Sequence, residues 1–239
     1  MTGWPKNDTD ETMKIEVVDL QNPLNSCSLP EEFPTTLIGA VGGFTKDGPL
    51  LCGGLHRRLR LYGNYYDTYS NACFTLKGSR FVEADVKLQT ARYDASAVVL
   101  PNGDLWIIGG KDDVNNYLST SETMNLQGSQ TGIELRDTDT YGSPKPMAHH
   151  CSMMVNATTA FITGGTWYTR ETFFIDIHNW KFTEGPQMEK ARAYHGCAVF
   201  MHNNINYAVV AGGYDYDKNL KSTEILDLDS ETLGWTKGK

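Results

Sequence analysis

Histidine and cysteine are the residue types best suited to chemistry in this chain, and both recur in similar surroundings. His149 and His195 each precede an apolar run, and Cys151 and Cys197 follow them two residues later. Aligning the two segments on these residues places His149 on His195 and Cys151 on Cys197. A metal or acid–base site would require the histidines to converge with a carboxylate. We expect Cys151 and Cys197 to be small buried thiols, because a disulfide between them would need their strands unusually close.

Aromatic and basic residues form a second group, in the loops that follow four glycine pairs. Tyrosine, tryptophan and arginine dominate the binding energy of protein interfaces, and loops on a rigid scaffold often carry function. The candidate partner-binding residues are Arg57, Arg58, Arg60, Tyr62, Tyr65, Tyr66, Tyr117, Trp167, Tyr168, Arg170, Tyr214 and Tyr216. The alternative is that these side chains pack locally under their own loops.

The glycine pairs themselves each end an apolar, strand-like run. They are Gly53-Gly54, Gly109-Gly110, Gly164-Gly165 and Gly212-Gly213. The second glycines lie 56, 55 and 48 residues apart, and a repeat near 50 residues with short strands predicts propeller blades. No helix signal follows the glycines, so they resemble neither a phosphate-binding loop nor a dinucleotide fingerprint. We interpret them as structural positions where a Cβ would block close packing.

The elements that must position these residues are short strands, because apolar residues alternate with period two and no helical periodicity persists. Leu37–Gly42, Ala95–Leu100 and Gly196–Phe200 are predicted as inner strands, and Leu105–Ile108 as a second strand. Phe81-Val82 is predicted as a fourth strand. The predicted domain is single, 1–239, with a partial blade at 1–34 and complete blades at 35–88, 89–145, 146–188 and 189–239.

The repeat resembles that of the kelch family. Its features are a glycine pair after an apolar strand, a later aromatic (Trp180, Trp235), and Arg or His before the next inner strand. The resemblance implies an all-β propeller of four-stranded antiparallel blades, in which Arg92 and Arg192 brace one blade against the next. It also implies that a polar residue such as His149 supports neighbouring loops. Kelch propellers usually have six or seven blades, so this chain is expected either to be incomplete or to close as a five-bladed ring.

Charge and composition restrict the partner classes. The net charge of −8 disfavours nucleic acid and anionic membranes, and no apolar run is long enough to span a bilayer. No signal peptide is visible, yet cytosolic and secreted locations both remain open. Five cysteines leave at least one unpaired within the chain. Cys52 and Cys73 would face each other in an antiparallel pair, which makes a disulfide between them geometrically reasonable.

We therefore expect a non-enzymatic module that binds a protein or peptide through the loops after the Gly-Gly strands, with no cofactor and no metal. The alternative is a secreted glycan-binding or galactose-oxidase-like propeller, because tyrosine and tryptophan beside aspartate would also suit sugars.

Overall fold

The chain is all-β in the residues that its computed structural model describes, which are 16–18, 26–28, 33–59, 65–134, 146–166 and 168–238. These residues contain no helix. The strands are β1 (Glu16–Val18), β2 (Ser26–Ser28), β3 (Val41–Thr45), β4 (Gly48–Cys52), β5 (Leu55–Leu59), β6 (Tyr65–Tyr69), β7 (Ala72–Lys77), β8 (Arg80–Lys87), β9 (Ser96–Val99), β10 (Leu105–Ile108), β11 (Thr120–Asn125), β12 (Gly128–Glu134), β13 (Cys151–Met154), β14 (Thr159–Thr163), β15 (Thr172–Asp176), β16 (Lys181–Glu184), β17 (Gly196–His202), β18 (Ile205–Ala211), β19 (Tyr214–Asp215), β20 (Lys218–Asn219), β21 (Thr223–Asp227) and β22 (Trp235–Lys237).

Four four-stranded antiparallel sheets make up most of the fold, and in each the strands pair in chain order. We call them sheet I (β3-β4-β7-β8), sheet II (β9-β10-β11-β12), sheet III (β13-β14-β15-β16) and sheet IV (β17-β18-β21-β22). Two small hairpins, β5-β6 and β19-β20, are inserted after the glycine pairs of sheets I and IV. β1 and β2 pair with each other in antiparallel register.

Consecutive sheets pack face to face, and this explains the continuous apolar runs of the second strands. Successive residues of a strand point to opposite faces, so a strand covered on both sides must be apolar throughout. All four residues of β10 are buried: Leu105 and Ile107 pack towards sheet I, while Trp106 and Ile108 pack towards sheet III. Phe161 of β14 in turn packs towards sheet IV.

The same backbone hydrogen bonds recur at each junction between consecutive sheets, which we call a seam. The second glycine of a pair donates its N–H to the sheet that follows: Gly54 to Arg92, Gly110 to Met147, and Gly165 to Arg192, each at 2.8 Å. These bonds align Arg92, Met147 and Arg192 as equivalent residues. They also explain the first glycines, since a Cβ on Gly164 would lie well inside 3.0 Å of the Arg192 carbonyl oxygen.

Side chains from the first strands also meet across the seams. Ser96 and Ser152 share a hydrogen bond of 2.5 Å across the seam between sheets II and III. Cys151 and Cys197 form a disulfide across the next seam. The prediction of two buried thiols was therefore wrong. The first strands of consecutive sheets approach closely enough for a disulfide, with a Cα–Cα distance of 5.9 Å.

Sheet IV ends the series in the described part of the chain. Val209 stands three residues before its glycine pair, as Trp106 and Phe161 do in sheets II and III. Trp106 and Phe161 are fully buried, whereas Val209 is partly exposed. No described sheet follows sheet IV, and the described strands do not form a closed ring.

Two predicted strands differ from those observed. The first strand of sheet I is Val41–Thr45 rather than Leu37–Gly42, because Ile38 bridges to Leu55 and Gly39 adopts a φ of 68° that ends the extended run. The fourth strand, β8, extends well beyond Phe81-Val82, from Arg80 to Lys87.

Candidate functional site

One end of the sheets gathers the loops that follow the glycine pairs. In an antiparallel meander, the link into the first strand and the loop between the second and third strands lie at the same end. Bridges confirm this placement: Tyr93 pairs with Lys111, and Ala193 pairs with Tyr214. We call this the loop end. The turns between first and second strands and between third and fourth strands lie at the opposite end, the turn end.

Buried arginines fix the backbone at the loop end of two sheets. Arg92 donates to the carbonyl oxygens of Gly109 and Thr120 at 2.6 and 3.0 Å and pairs with Glu122 at 2.7 Å. All three acceptors belong to the sheet that Arg92 enters. The guanidinium thus braces its own sheet, and the Arg92 carbonyl is what joins the preceding sheet. The expectation that the Arg92 side chain braces one blade against the next was therefore wrong, because among the described residues its guanidinium bonds only within its own sheet.

A second repeated position brings four residues into a row. Gly39, Asp94, His149 and Tyr194 each lie two residues before a first strand and have φ between 54° and 68°. The N–H of Asp94 donates to Gly39, that of His149 to Asp94, and that of Tyr194 to His149, at 2.8–2.9 Å. Non-glycine residues rarely adopt positive φ, and such strain often marks functional sites.

The side chains of this row form a carboxylate–imidazole–phenol series. His149 Nδ1 lies 3.4 Å from Asp94 Oδ2, and the Tyr194 hydroxyl lies 3.2 Å from His149 Nε2. The rings of His149 and Tyr194 are 4.0 Å apart. The Tyr194 side chain is 56% exposed, whereas His149 is largely covered. The Tyr194 phenol therefore brings the series to the surface of the loop end.

Burial controls the charge of these groups. Desolvation, together with the nearby Lys111 ammonium, lowers the pKa of His149 to about 3. Desolvation raises the pKa of Asp94, although Lys111 opposes this shift. Desolvation, followed by the Asp94 charge, raises the pKa of Tyr194. At neutral pH the imidazole is neutral, so the Tyr194 hydroxyl can donate to His149 Nε2.

Lys111 lies among tyrosine rings beside this series. Its Nζ is 5.1 Å from the centre of the Tyr117 ring and 5.7 Å from that of Tyr93, within cation–π range. Desolvation raises the pKa of Tyr93 to about 12. The Tyr93 hydroxyl also bonds to Asn115. The site thus offers a cation, hydroxyl donors, a carboxylate and aromatic faces within a short distance.

A further aromatic group lies on the loops of sheets III and IV. The ring of Tyr168 is 5.5 Å from Tyr214 and 5.6 Å from Tyr216, with both contacts edge-on. Tyr216 is 74% exposed, which leaves most of it available to a partner. Arg170 is exposed as well, and its Nε–H donates to the Met188 carbonyl.

The remaining predicted residues divide by what the structure describes. Tyr117, Tyr168, Arg170, Tyr214 and Tyr216 all lie at the loop end. The β5-β6 hairpin at the same end carries Arg57, Arg58, Tyr65 and Tyr66, whose side chains lie outside the described part of the structure. The described residues do not include Arg60, Tyr62 or Trp167.

The predicted structural residues occupy the seams. The Trp180 ring packs 4.8 Å from that of Trp106 in the preceding sheet, and the Trp235 indole N–H donates to the Pro186 carbonyl at 2.8 Å.

Within sheet I, Cys52 and Cys73 are directly paired on β4 and β7 and are joined by a disulfide.

The sequence alignment of the histidines was shifted by one residue. His150, not His149, is equivalent to His195, because a Cβ on Gly165 would meet the Cβ of His150 just as one on Gly213 would meet that of His195. Cys151 is likewise equivalent to Gly196. His195 bonds to Thr163 at 2.8 Å, whereas neither ring nitrogen of His150 has a partner among the described residues. In that part of the chain, no three His, Cys, Asp or Glu side chains are placed to hold a metal ion.

Sequence reasoning did not single out Asp94 or Tyr194. The usable signal was their recurrence: each lies at a fixed distance from a glycine pair or a first strand.

No protein-family model matches the chain, and no curated protein matches its sequence. Within the described residues, no helix is long and apolar enough to cross a membrane.

Proposed function

We propose that the chain is a kelch-type propeller module that binds a protein or peptide partner at the loop end and performs no catalysis. The observation that carries this proposal is the row formed by Asp94, His149 and Tyr194 with the tyrosines and Lys111 around it. Three consecutive sheets contribute to it through equivalent backbone positions. Interface hot spots are rich in tyrosine and arginine held by a rigid framework.

The repeated seams support the propeller part of the proposal. All three seams use the same glycine bond and the same row bond, and at two of them side chains of the first strands also meet at equivalent positions. A fixed rotation between neighbouring sheets is what arranges blades around an axis. On this view the row lies where the first strands approach that axis, so that loops from different blades can contact one ligand.

The test is selection of binding peptides from a random display library on the immobilised chain. Dissociation constants are then measured for Tyr194→Ala, for Tyr117→Ala, and for a variant with alanine at Arg57, Arg58, Tyr65 and Tyr66. We expect losses of at least tenfold for these loop-end variants, since hot-spot side chains contribute about 2 kcal/mol or more.

The matched control is His178→Ala, an exposed residue in a turn-end loop of sheet III. It should leave the dissociation constant unchanged. Peptides whose affinity falls with His178→Ala and not with the loop-end variants would refute binding at the loop end.

The second candidate is a secreted glycan-binding or galactose-oxidase-like propeller. The two disulfides favour a secreted protein, since disulfides persist in oxidising compartments. A panel of immobilised glycans tests the first form, and sugar oxidation in the presence of copper tests the second. Saturable glycan binding that is abolished by Tyr194→Ala, in a chain that selects no peptide, would favour this candidate.

A further inference from the structure

Sheets II and IV each contain a buried arginine in an equivalent site. Arg192 repeats the contacts of Arg92: it donates to the carbonyl oxygens of Gly212 and Ser222 at 2.7 and 2.9 Å and pairs with Glu224 at 2.9 Å. The arginine and glutamate side chains are at most 2% exposed in both sheets. Each site is therefore a pocket built for a guanidinium group.

Sheet III has the same backbone but lacks the charged pair. Met147 occupies the arginine position, because its carbonyl accepts from Gly110 as that of Arg192 accepts from Gly165. Phe173 occupies the glutamate position, since it pairs with Ile162 as Glu224 pairs with Val210. The Gly164 carbonyl is equivalent to that of Gly212, one of the acceptors of Arg192.

A cavity of about 400 Å³ occupies this site in sheet III. Met147, Gly164, Glu171 and Phe173 line it, and Tyr168 extends the lining to the loop end. Sheets II and IV fill the equivalent volume with their own guanidinium groups. In sheet III the volume is open to a group from outside the chain.

We propose that this cavity binds the guanidinium group of an arginine side chain presented by a peptide partner. This proposal rests on the loop-end function above and names the partner's chemistry. The Gly164 carbonyl accepts from the guanidinium, as its equivalents do for Arg92 and Arg192. The Phe173 ring provides a cation–π face in place of the glutamate.

Charges at the mouth of the cavity shape the binding. Glu171 is one of the lining residues and places a negative charge beside the cavity. Arg170 also lines the cavity and carries the same positive charge as the proposed ligand, but its Nε–H donates to the Met188 carbonyl. A planar guanidinium matches an arrangement of separated acceptors better than the compact ammonium of lysine does. Arginine should therefore be preferred over lysine.

The experiment titrates N-acetyl-arginine amide and its neutral analogue N-acetyl-citrulline amide against protein labelled at the methionine methyl groups. We expect a saturable shift of the Met147 methyl resonance with arginine and none with citrulline. Equal responses to the two probes, or no saturable response to arginine, would overturn the proposal.

Two variants separate occupancy of the cavity from general effects on the fold. Met147→Arg/Phe173→Glu rebuilds the pair of sheets II and IV, so the chain fills its own cavity and should lose arginine binding, which is measured by titration calorimetry because this variant lacks the Met147 methyl group. Phe173→Leu keeps an apolar side chain but removes the ring, and should weaken binding by up to roughly tenfold. Unchanged affinity in Phe173→Leu, measured from the Met147 methyl shift with the exposed Met201 methyl as a non-responding reference, would contradict the assigned role of the ring.

The outcomes also separate this proposal from the function on which it rests. The cavity assignment alone would be overturned if peptides without arginine bind the loop end while the chain shows no binding of the arginine probe. Arginine binding in a chain that selects no peptide would support the cavity and refute the peptide-binding function.

Discussion

Replacing Arg192 with methionine should lower the free energy of unfolding by about 3–5 kcal/mol. The substitution introduces the residue that sheet III carries at the equivalent position. It removes bonds to Gly212 and Ser222 and leaves the Glu224 carboxylate, 2% exposed, without its cation. Loss of one partner of a buried ion pair is costly because the other charge stays desolvated. For a chain of this size, the thermal midpoint should fall by roughly 6–20 °C.

The matched control is Lys87→Met, which breaks the Lys87–Glu83 pair. Both of those side chains are 55% exposed. Exposed ion pairs contribute about 0–1 kcal/mol, so this substitution should change the free energy of unfolding very little. Urea titration followed by tryptophan fluorescence measures both variants.

The double variant Arg192→Met/Glu224→Phe completes the comparison. It transfers the apolar pair of sheet III into sheet IV and removes both buried charges. We expect it to be more stable than Arg192→Met alone, because no desolvated charge remains. If Arg192→Met costs no more than Lys87→Met, or the double variant is less stable than the single, the reasoning about this site is refuted.

Three further predictions concern the seams and the buried histidines. Replacing Cys151 and Cys197 together with serine should cost about 3–4 kcal/mol in urea titrations from loop-closure entropy, with an unchanged circular dichroism spectrum, since serines already meet at the preceding seam. Gly164→Ala should cost several times more in the same titrations than Gly212→Ala: both have positive φ, but only Gly164 faces a following sheet. Burial lowers the pKa of His150 to about 3 from 6.5; the folded state therefore binds fewer protons between these values, and stability should fall as pH is lowered through this window. His150→Leu should flatten that pH dependence in urea midpoints, and an unaltered slope would contradict it.

Strands and glycine positions could be read from the sequence where a continuous apolar run meets a strong turn. β10 coincides with the predicted Leu105–Ile108 because Pro101-Asn102-Gly103-Asp104 fixes where the preceding turn must lie. The first strand of sheet I could not be placed in this way. Leu37 and Ile38 are as apolar as a strand requires, and only the bridge to Leu55 shows that they belong to the link.

The site was less predictable because it depends on register between sheets. Two adjacent histidines and two cysteines favoured an alignment of like residues, which was one position away from the backbone equivalence. The disulfide between Cys151 and Cys197 was missed for a related reason: the first strands of consecutive sheets were expected to be too far apart, whereas the two Cα atoms lie 5.9 Å apart. Asp94 and Tyr194 share no residue type and are related only by their positive φ and their row of hydrogen bonds.

Hydrogen exchange measured with and without a selected peptide tests binding at the loop end most directly. The account predicts slower exchange in 109–119 and 190–195, at the loop end, and no change in 155–158 and 177–180, in the turn-end loops of sheet III. Protection confined to the turn-end segments, with the loop end unchanged, would contradict it.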